Sequence, residues 1–400
     1  MANNVLGGIM SRFWKIVLGV LAALAVIGLG IFFFVLPAEV ERAMNGVIEP
    51  PPYSVAERAA ELHKTLTVAD LHADSLLWGR NLLDKGTRAQ VDIPRLIEGN
   101  VAVQVFAVVS KTPRGLNIDR NTGDSDNVTL LAIAQRWPVR TWTSLKERAL
   151  YQAERLKAFA AASDGRFVIV ESKGDLQRFL DRRKQEPGIV AGILALEGSQ
   201  VLEGDPANVD VLVDAGYRMM SPTHFFDNEM AGSAHGVNKG GLTEAGVDMI
   251  ERMEARGMIV DLAHGSMAQI DDVLAMATRP VVVSHTGVRG TCDNGRNLSD
   301  DQLRAIAAKG GLVGIGFWNV ATCGKAATEI AKAQAYTAGL IGAEHVGLGS
   351  DFDGAVLVPF DATGMVKITE ALMKAGVSDA EIGQMMGGNQ IRFLLENLPE

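Results

Sequence analysis

Two short apolar runs decide the fold of this chain: Gly257-Met-Ile-Val-Asp-Leu-Ala-His264 and Pro280-Val-Val-Val-Ser-His285. Each run is rich in Val and Ile and is bounded by Gly or Pro, which is typical of a buried parallel strand. The residues between them, 266–277, predict a helix. A lone histidine at a strand end is more often a polar cap than a ligand. Here both imidazoles would lie at the carboxyl edge of one sheet, where α/β folds build their active sites.

The same pattern recurs elsewhere in the chain, and this recurrence favours ligands over caps. Other apolar runs end at His72-Ala-Asp74, Glu197, His224 and Asp351, with helical segments between them. Strands that alternate with helices indicate a closed parallel barrel or a doubly wound sheet. An open sheet would spread these side chains along a line, whereas a (β/α)8 barrel gathers them at one mouth. We therefore predict an α/β fold, a TIM-like (β/α)8 barrel of the metal-dependent hydrolase type.

Hydrophobic periodicity also predicts individual elements of this barrel. A long helical region is expected over residues 126–163. Strands are expected over residues 217–224 and 345–351, so that His224 and Asp351 would each close a strand.

Composition bounds the possible functions. The chain has 400 residues, of which 48% are hydrophobic and 21% charged, as in ordinary globular α/β proteins. Its net charge is −9, and no basic stripe interleaves with aromatic residues, so nucleic acid is not an expected partner. Cys292 and Cys323 are the only cysteines. In an oxidising compartment such a pair favours a disulfide, but the residues alone also allow two buried thiols.

The N-terminus predicts a membrane anchor. Residues 16–36 carry no charge and are long enough, as a helix, to cross a bilayer core of ~30 Å. Arg12 and Lys15 precede this run, so residues 1–15 should stay in the cytoplasm and the rest of the chain outside it. The alternative is a cleaved signal peptide, whose apolar core is usually only ~7–15 residues. The greater length found here favours an uncleaved single-pass anchor.

Two further segments complete the predicted domain organisation. Residues 37–53 contain Pro50-Pro51-Pro52 and are interpreted as a short, stiff linker. Residues 54–400 are then the (β/α)8 catalytic domain.

The residue types at the strand ends predict a metal site. Imidazole and carboxylate ligands suit zinc and, less selectively, cobalt or manganese. His72 and Asp74 are two positions apart, so a strand would direct both side chains to one face, where they could bind one ion. Five of the candidate ligands, His72, Asp74, Glu197, His264 and His285, already exceed what one catalytic zinc needs. A carboxylate that bridges two ions would use the surplus, and Glu197 is the best candidate for it.

These residues and their order resemble the membrane dipeptidase (renal dipeptidase) family of zinc metallopeptidases. The resemblance covers residues 55–395, almost all of the chain beyond the apolar segment. The matching stretches are Asp70-Leu-His-Ala-Asp74, Ala195-Leu-Glu-Gly198, Thr223-His224, residues 241–246 and 257–264, Ser284-His285, Arg296-Asn297 and Gly349-Ser-Asp-Phe-Asp-Gly354. Ala73 departs from the pattern, since many members carry Asn there, and this puts the fine specificity in doubt.

The resemblance implies a centre with two Zn²⁺ ions per chain. His72 and Asp74 would hold the first ion and His264 and His285 the second, and Glu197 would bridge the two. A hydroxide shared by the ions would attack the peptide carbonyl.

The resemblance also implies roles for residues that do not bind metal. His224 would polarise the scissile carbonyl or stabilise its oxyanion, and Arg296 would bind the terminal carboxylate of a dipeptide. Asp351 would transfer the proton, and Cys292 and Cys323 would form a disulfide. Without the resemblance, an exposed loop residue would be the preferred interpretation of Arg296, and Asp351 could be a turn cap.

The resulting prediction is a binuclear zinc dipeptidase in a bacterial inner membrane, with its catalytic domain in the periplasm. Its partners would be a small dipeptide, including one with a C-terminal D-residue, and the lipid bilayer; a homodimer is compatible with the family. Two alternatives stay open: an amide or lactam hydrolase that uses the same metal site, and a metal-binding membrane protein without catalysis. His235 is interpreted as a loop residue that could line the substrate cleft.

Overall fold

Parallel strands and surrounding helices make up most of the molecule. The computed structural model describes residues 2–400, with side chains from residue 12 onward. The strands are β1 (Val68–Ala73), β2 (Val101–Val109), β3 (Phe167–Ile169), β4 (Val190–Glu197), β5 (Tyr217–Met220), β6 (Ile259–Val260), β7 (Val282–Thr286), β8 (Leu312–Ile315) and β9 (Val346–Leu348). The α-helices are α1 (Ala2–Phe34), α2 (Leu36–Met44), α3 (Glu57–Thr65), α4 (Ile93–Glu98), α5 (Val128–Ala134), α6 (Leu145–Ala161), α7 (Lys173–Arg183), α8 (Asn208–Asp214), α9 (Glu244–Ala255), α10 (Met267–Met276), α11 (Asp300–Ala308), α12 (Asn319–Thr322), α13 (Ala327–Ile341), α14 (Val366–Lys374), α15 (Asp379–Gly383) and α16 (Asn389–Asn397).

Eight of the strands form a curled parallel sheet in the order β6-β5-β4-β2-β1-β9-β8-β7, and β3 pairs separately with the start of β4. The two ends of this path meet at a parallel bridge between Asp261 and Val282, where the amide of Leu262 donates to the Val282 carbonyl at 2.8 Å. The strands thus close into the predicted TIM-like barrel. All their carboxyl ends lie at one mouth.

Apolar side chains fill the space inside the sheet. Buried residues of β1, β2, β4, β5, β6, β7 and β8 form one cluster, which Phe393 and Leu394 of α16 join. Ile193 and Ala195 belong to it and share a face of β4 with Glu197, because side chains alternate along a strand. The core below the mouth is therefore apolar, and the polar residues lie in the last layer.

Several boundaries differ from the sequence prediction. The helical region expected over 126–163 is divided into α5, a short 3-10 turn (Val139–Trp142) and α6. Pro138 lies at this break, and a proline in a helix interior removes a backbone hydrogen bond. The strand expected over 217–224 ends at Met220, just before Ser221-Pro222, so His224 lies in a loop. The strand expected over 345–351 ends at Leu348, so Asp351 also lies in a loop.

The N-terminal segments also have a defined structure. Residues Arg12–Phe34 of α1 are exposed and are long and apolar enough to cross a membrane, as a membrane anchor or a signal sequence would be. The predicted cytoplasmic segment, 1–15, is described only in part, since Met1 and the side chains of residues 2–11 lie outside the described residues. The predicted linker, 37–53, contains most of α2, so its first half is helical. Val47, after this helix, pairs with Val358 of the barrel domain.

Candidate active site

The mouth of the barrel brings together every candidate ligand. His72 lies on β1 and Asp74 directly after it, Glu197 ends β4, His264 follows β6 and His285 lies on β7. All five are at least 96% buried. The closed sheet therefore gathers in one layer residues that are far apart in the sequence.

Glu197 is at the centre of this group. Its Oε1 lies 2.9 Å from Nε2 of His264, 3.3 Å from Nε2 of His285 and 3.6 Å from Nε2 of His72. Its Oε2 lies 3.1 Å from Nε2 of His224. One carboxylate thus contacts four imidazoles.

The donor atoms form overlapping groups compact enough to hold metal ions. One group is His72, Asp74 and Asp351, a second is His72, Glu197 and His285, and a third is Glu197, His224 and His264; within each, the donor atoms lie within 4.8 Å of one another. Nε2 atoms of His264 and His285 are only 2.9 Å apart. The geometry alone therefore does not separate His224 from the expected ligands.

Unpaired polar atoms show that this donor set fits metal ions. Nε2 of His72 and Oδ1 of Asp74 are buried without a hydrogen-bond partner. Buried polar atoms without a partner are costly, and metal coordination is one way to satisfy them. The chemistry of the set, histidines and carboxylates, is that of zinc sites.

Burial sets the protonation of these groups. It raises the pKa of Glu197 and of Asp74 well above the ordinary carboxyl range, and neighbouring carboxylates raise both further. It lowers the pKa of His224, His264 and His285 well below the ordinary imidazole range. Burial therefore favours the neutral form of these three histidines, the form that binds metal, and a divalent cation would favour ionised carboxylates.

A second layer of hydrogen bonds orients the histidines. Oγ of Ser284 lies 3.3 Å from Nδ1 of His72 and 3.0 Å from Nδ1 of His285. Oδ1 of Asp261 accepts the Ser284 amide at 2.8 Å. Because Nδ1 of each ring faces Ser284, Nε2 of each ring faces the centre of the site, as in metal sites whose outer partners fix the ring.

Asp351 lies in a tight loop after β9. Its φ is +61°, a left-handed conformation that Asp tolerates better than most residues. Burial raises the pKa of Asp351 to about 8, while His72 opposes the shift. Its Oδ1 is 4.0 Å from Nε2 of His72, so a carboxyl group that titrates near neutral pH adjoins the donor groups.

Arg296 lies beside the site and is 7% exposed, not in an open loop. One Nη atom donates to the carbonyl of His285 at 2.8 Å, and the guanidinium lies over the Trp318 ring at 5.6 Å from its centroid. The disulfide Cys292–Cys323 is present and ties the Arg296 loop to the loop after β8. The predicted cysteine pairing is thus confirmed.

A cavity of about 560 Å³ opens onto these residues. Glu197, His224, His264, Arg296 and Asp351 line its floor. Apolar side chains form most of the remaining wall. The volume suits a small molecule.

Sequence reasoning does not assign three further residues of this cavity. His235 lines it, with Nδ1 2.6 Å from the Ile118 carbonyl and Nε2 unpaired, and burial lowers its pKa to about 4. Trp318 and Met44 also line it. From the sequence, His235 is a loop residue for which a place in the cleft is one of two interpretations. No local pattern places Trp318 or Met44 there.

A closed parallel barrel with a histidine–carboxylate cluster at its mouth defines the class of metal-dependent hydrolases. The sequence model of the family "Membrane dipeptidase (Peptidase family M19)" matches residues 56–397. The chain belongs to this family, and it is a metallo-dipeptidase. The family resemblance seen in the sequence is thus confirmed.

Individual proteins are similar to this chain in sequence or in fold. An uncharacterized protein in the pqqA 5′ region of Klebsiella pneumoniae is 30% identical over 254 residues, which is 60% of this chain and 92% of the relative. The dipeptidase verJ of Clonostachys rogersoniana is 34% identical over 214 residues, 52% of this chain and 55% of the relative. A Rhodobacter sphaeroides metallo peptidase, solved with a phosphinate mimic of L-Ala-D-Ala, has the same fold, with a TM-score of 0.66 and 23% identity; the match covers 84% of this chain and 99% of that one.

Proposed function

We propose that this metallo-dipeptidase uses two Zn²⁺ ions and hydrolyses dipeptides, including those with a C-terminal D-residue. The observation that carries the proposal is the position of Glu197, whose carboxylate lies within 3.6 Å of the imidazoles on both sides of the site. His72 and Asp74 would hold one ion, His264 and His285 the other, and Glu197 would bridge them. Ions bound there would supply the Lewis-acid charge that activates water and polarises a carbonyl.

The remaining polar residues have roles toward the substrate in this proposal. The guanidinium of Arg296 binds the carboxylate at the C-terminus of the dipeptide, since a planar fork of N–H donors matches a carboxylate. His224 stabilises the negative charge that develops on the carbonyl oxygen. In this arrangement the scissile bond lies between Arg296 and the proposed metal ligands around Glu197.

Asp351 is the proton-transfer residue in this proposal. A pKa of about 8 suits a group that exchanges protons near neutral pH. It takes one proton from the attacking water and delivers it to the leaving amine. The carbonyl carbon gains the water oxygen as the C–N bond breaks, and the products are two amino acids.

The substrate class is supported by one solved neighbour. The Rhodobacter sphaeroides metallo peptidase was solved with a phosphinate mimic of L-Ala-D-Ala. We carry this class of ligand, a dipeptide with a C-terminal D-residue, over to the present chain as part of the proposal.

The proposed location is a bacterial inner membrane, with the catalytic domain in the periplasm. The exposed apolar α1 is compatible with an anchor, the length of its apolar run favours the uncleaved form, and Arg12 and Lys15 before this run favour a cytoplasmic N-terminus. Protease protection of tagged cells would test this orientation.

Substitution of Arg296 tests the substrate role. We expect Arg296→Met to lower kcat/KM for Gly-D-Ala about 100-fold, because a charge-assisted contact to the substrate is lost. Zinc content should remain two ions per chain by elemental analysis. The matched control is Arg304→Met, since Arg304 is an exposed arginine on α11.

Three outcomes would contradict the proposal. Unchanged dipeptide kinetics in Arg296→Met would favour an amide or lactam hydrolase. Zinc without hydrolysis of any dipeptide would favour a non-catalytic metal protein. A single zinc ion in the fully active enzyme would refute the binuclear centre.

A further inference from the structure

A short segment outside the matched family domain packs against the active-site loop. The family match begins at residue 56, whereas Glu41 of α2 is already 1% exposed. Its Oε1 accepts a hydrogen bond from Nε of Arg80 at 2.7 Å, and its Oε2 accepts one from Nε of Arg88 at 2.6 Å. A buried carboxylate held by two guanidinium groups marks α2 as a part of the folded domain.

Arg80 connects Glu41 to the loop that carries Asp351, because it donates hydrogen bonds to both. Its Nη2 donates to Oδ2 of Asp353, which also accepts from Oγ of Ser75 at 2.6 Å. Asp353 is fully buried, and its φ is +62°. An aspartate in this conformation needs firm support, and Glu41 orients the guanidinium that provides part of it.

The chain after α2 supports the same loop through the Asn45 side chain and the Gly46 carbonyl. Oδ1 of Asn45 accepts the Ala355 amide at 2.9 Å, and the carbonyl of Gly46 accepts the Val358 amide at 3.1 Å. The Gly46 carbonyl also accepts Nε2 of Gln90 at 2.9 Å. Asn45 and Gly46 therefore contact the loop 351–358 at Ala355 and Val358, and Glu41 reaches it at Asp353 through Arg80.

Met44 extends this contact into the substrate cavity. It is one of the residues that line the cavity, together with Gly354, Ala355 and Val356 of the supported loop. A side chain from the membrane-proximal helix thus forms part of the wall that a substrate would meet.

We propose that residues 41–46 complete the active site: Glu41 is a positioning residue that acts through Arg80 on the loop of Asp351, and Met44 helps to determine substrate size. The proposal rests on the proton-transfer role proposed for Asp351. It assigns a catalytic contribution to a segment that sequence reasoning interpreted as a linker.

The positioning role is tested in the full-length, detergent-solubilised enzyme by a double-mutant cycle. Glu41→Gln should lower kcat for Gly-D-Ala about 10-fold and leave KM within twofold. The double variant with Arg80→Gln should be no slower than Arg80→Gln alone, because both residues act in series. The control is Glu39→Gln, since Glu39 is exposed on the same helix and pairs with Arg42.

Hydrogen exchange gives a second readout that does not depend on activity. In Glu41→Gln, the amides of residues 351–358 should exchange faster than in wild type, and in Glu39→Gln they should not. Wild-type kinetics and exchange in Glu41→Gln, or additive effects in the cycle, would overturn the positioning role. If the wild-type enzyme cleaves no dipeptide, the proposed function fails, and the exchange result still decides whether Glu41 supports the loop.

Met44 is tested separately, so that the proposal remains falsifiable if Glu41→Gln does not fold. Met44→Trp should raise KM at least 5-fold for dipeptides with large side chains and leave KM for Gly-Gly within twofold. Equal effects on both substrates would overturn the specificity role.

Discussion

Gly354 provides a steric probe of the active site in which no proposed ligand is itself substituted. It follows Asp351 and Asp353 in the loop after β9, and its own φ lies outside the left-handed region, so alanine suits its backbone. A Cβ atom there would lie 2.0 Å from Oδ1 of Asp351 and 2.8 Å from Oδ2 of Asp74. Gly354→Ala therefore pushes directly on two carboxylates of the site.

The expected loss follows from these distances. Ordinary contacts of a Cβ atom begin at 3.4 Å, so the Asp351 oxygen must move by more than 1 Å. A misplacement of ~1 Å in an active site can reduce the rate ~100-fold. We expect kcat/KM of Gly354→Ala to fall by about two orders of magnitude, equivalent to ~2.7 kcal/mol of transition-state stabilisation.

The assay compares Gly354→Ala with Gly339→Ala. Gly339 lies on the exposed side of α13, where the Cβ atom that alanine adds would have no other atom within 4 Å. Alanine there should raise helix stability by up to ~1 kcal/mol without affecting kcat. Steady-state hydrolysis of Gly-D-Ala and zinc content are measured for both. A Gly354→Ala enzyme with full metal content and wild-type kcat/KM would refute the reasoning.

Two further predictions concern stability. Burial lowers the pKa of His63 below its ordinary value of 6.5, so the unfolded chain binds the proton more readily and stability falls as the pH drops from about 7. In His63→Gln, the free energy of unfolding should depend less steeply on pH, by up to ~1.4 kcal/mol per pH unit. The measurement is Tm between pH 7.5 and 5.5, and the same dependence of Tm on pH in wild type and variant would contradict this prediction. Replacing Cys292 and Cys323 with serine removes a disulfide between residues 31 positions apart. The free energy of unfolding should fall by ~3–4 kcal/mol, because the unfolded chain is no longer constrained. Reduced wild type should behave like the double variant, and equal Tm values of oxidised wild type and double variant would count against this.

The barrel and its strand-end residues could be predicted because their signal is local. The buried strands are short, mostly apolar runs, and the polar residue at or after the end of such a run is visible in the sequence. His72 and Glu197 meet because every parallel strand delivers its end to the same mouth. This requires only the order of the elements, not their exact bounds.

The conformation at the strand ends could not be predicted in this way. His264 has a φ of +64° and lies outside β6, which comprises only Ile259–Val260. His224 follows Pro222, beyond the end of β5. These departures come from contacts with neighbouring loops, which the periodicity of a single strand does not record.

The role proposed for residues 41–46 could not be predicted from the sequence, for a similar reason. Glu41 is flanked by other charged residues and is preceded by a long apolar run, as expected of an exposed juxtamembrane residue. Its partners Arg80 and Arg88 are 39 and 47 positions away in the chain. His235 likewise pairs with a carbonyl 117 positions away. Such pairings depend on tertiary structure alone.

The order of strands in the sheet has a consequence for how the enzyme is made. β1, which carries His72, lies between β2 and β9, and β9 is the last strand to be synthesised. His72 therefore reaches its place only when nearly the whole chain is available. Metal acquisition must then be a late event in biosynthesis, and the compartment in which the finished chain folds determines the pool of ions from which it is supplied.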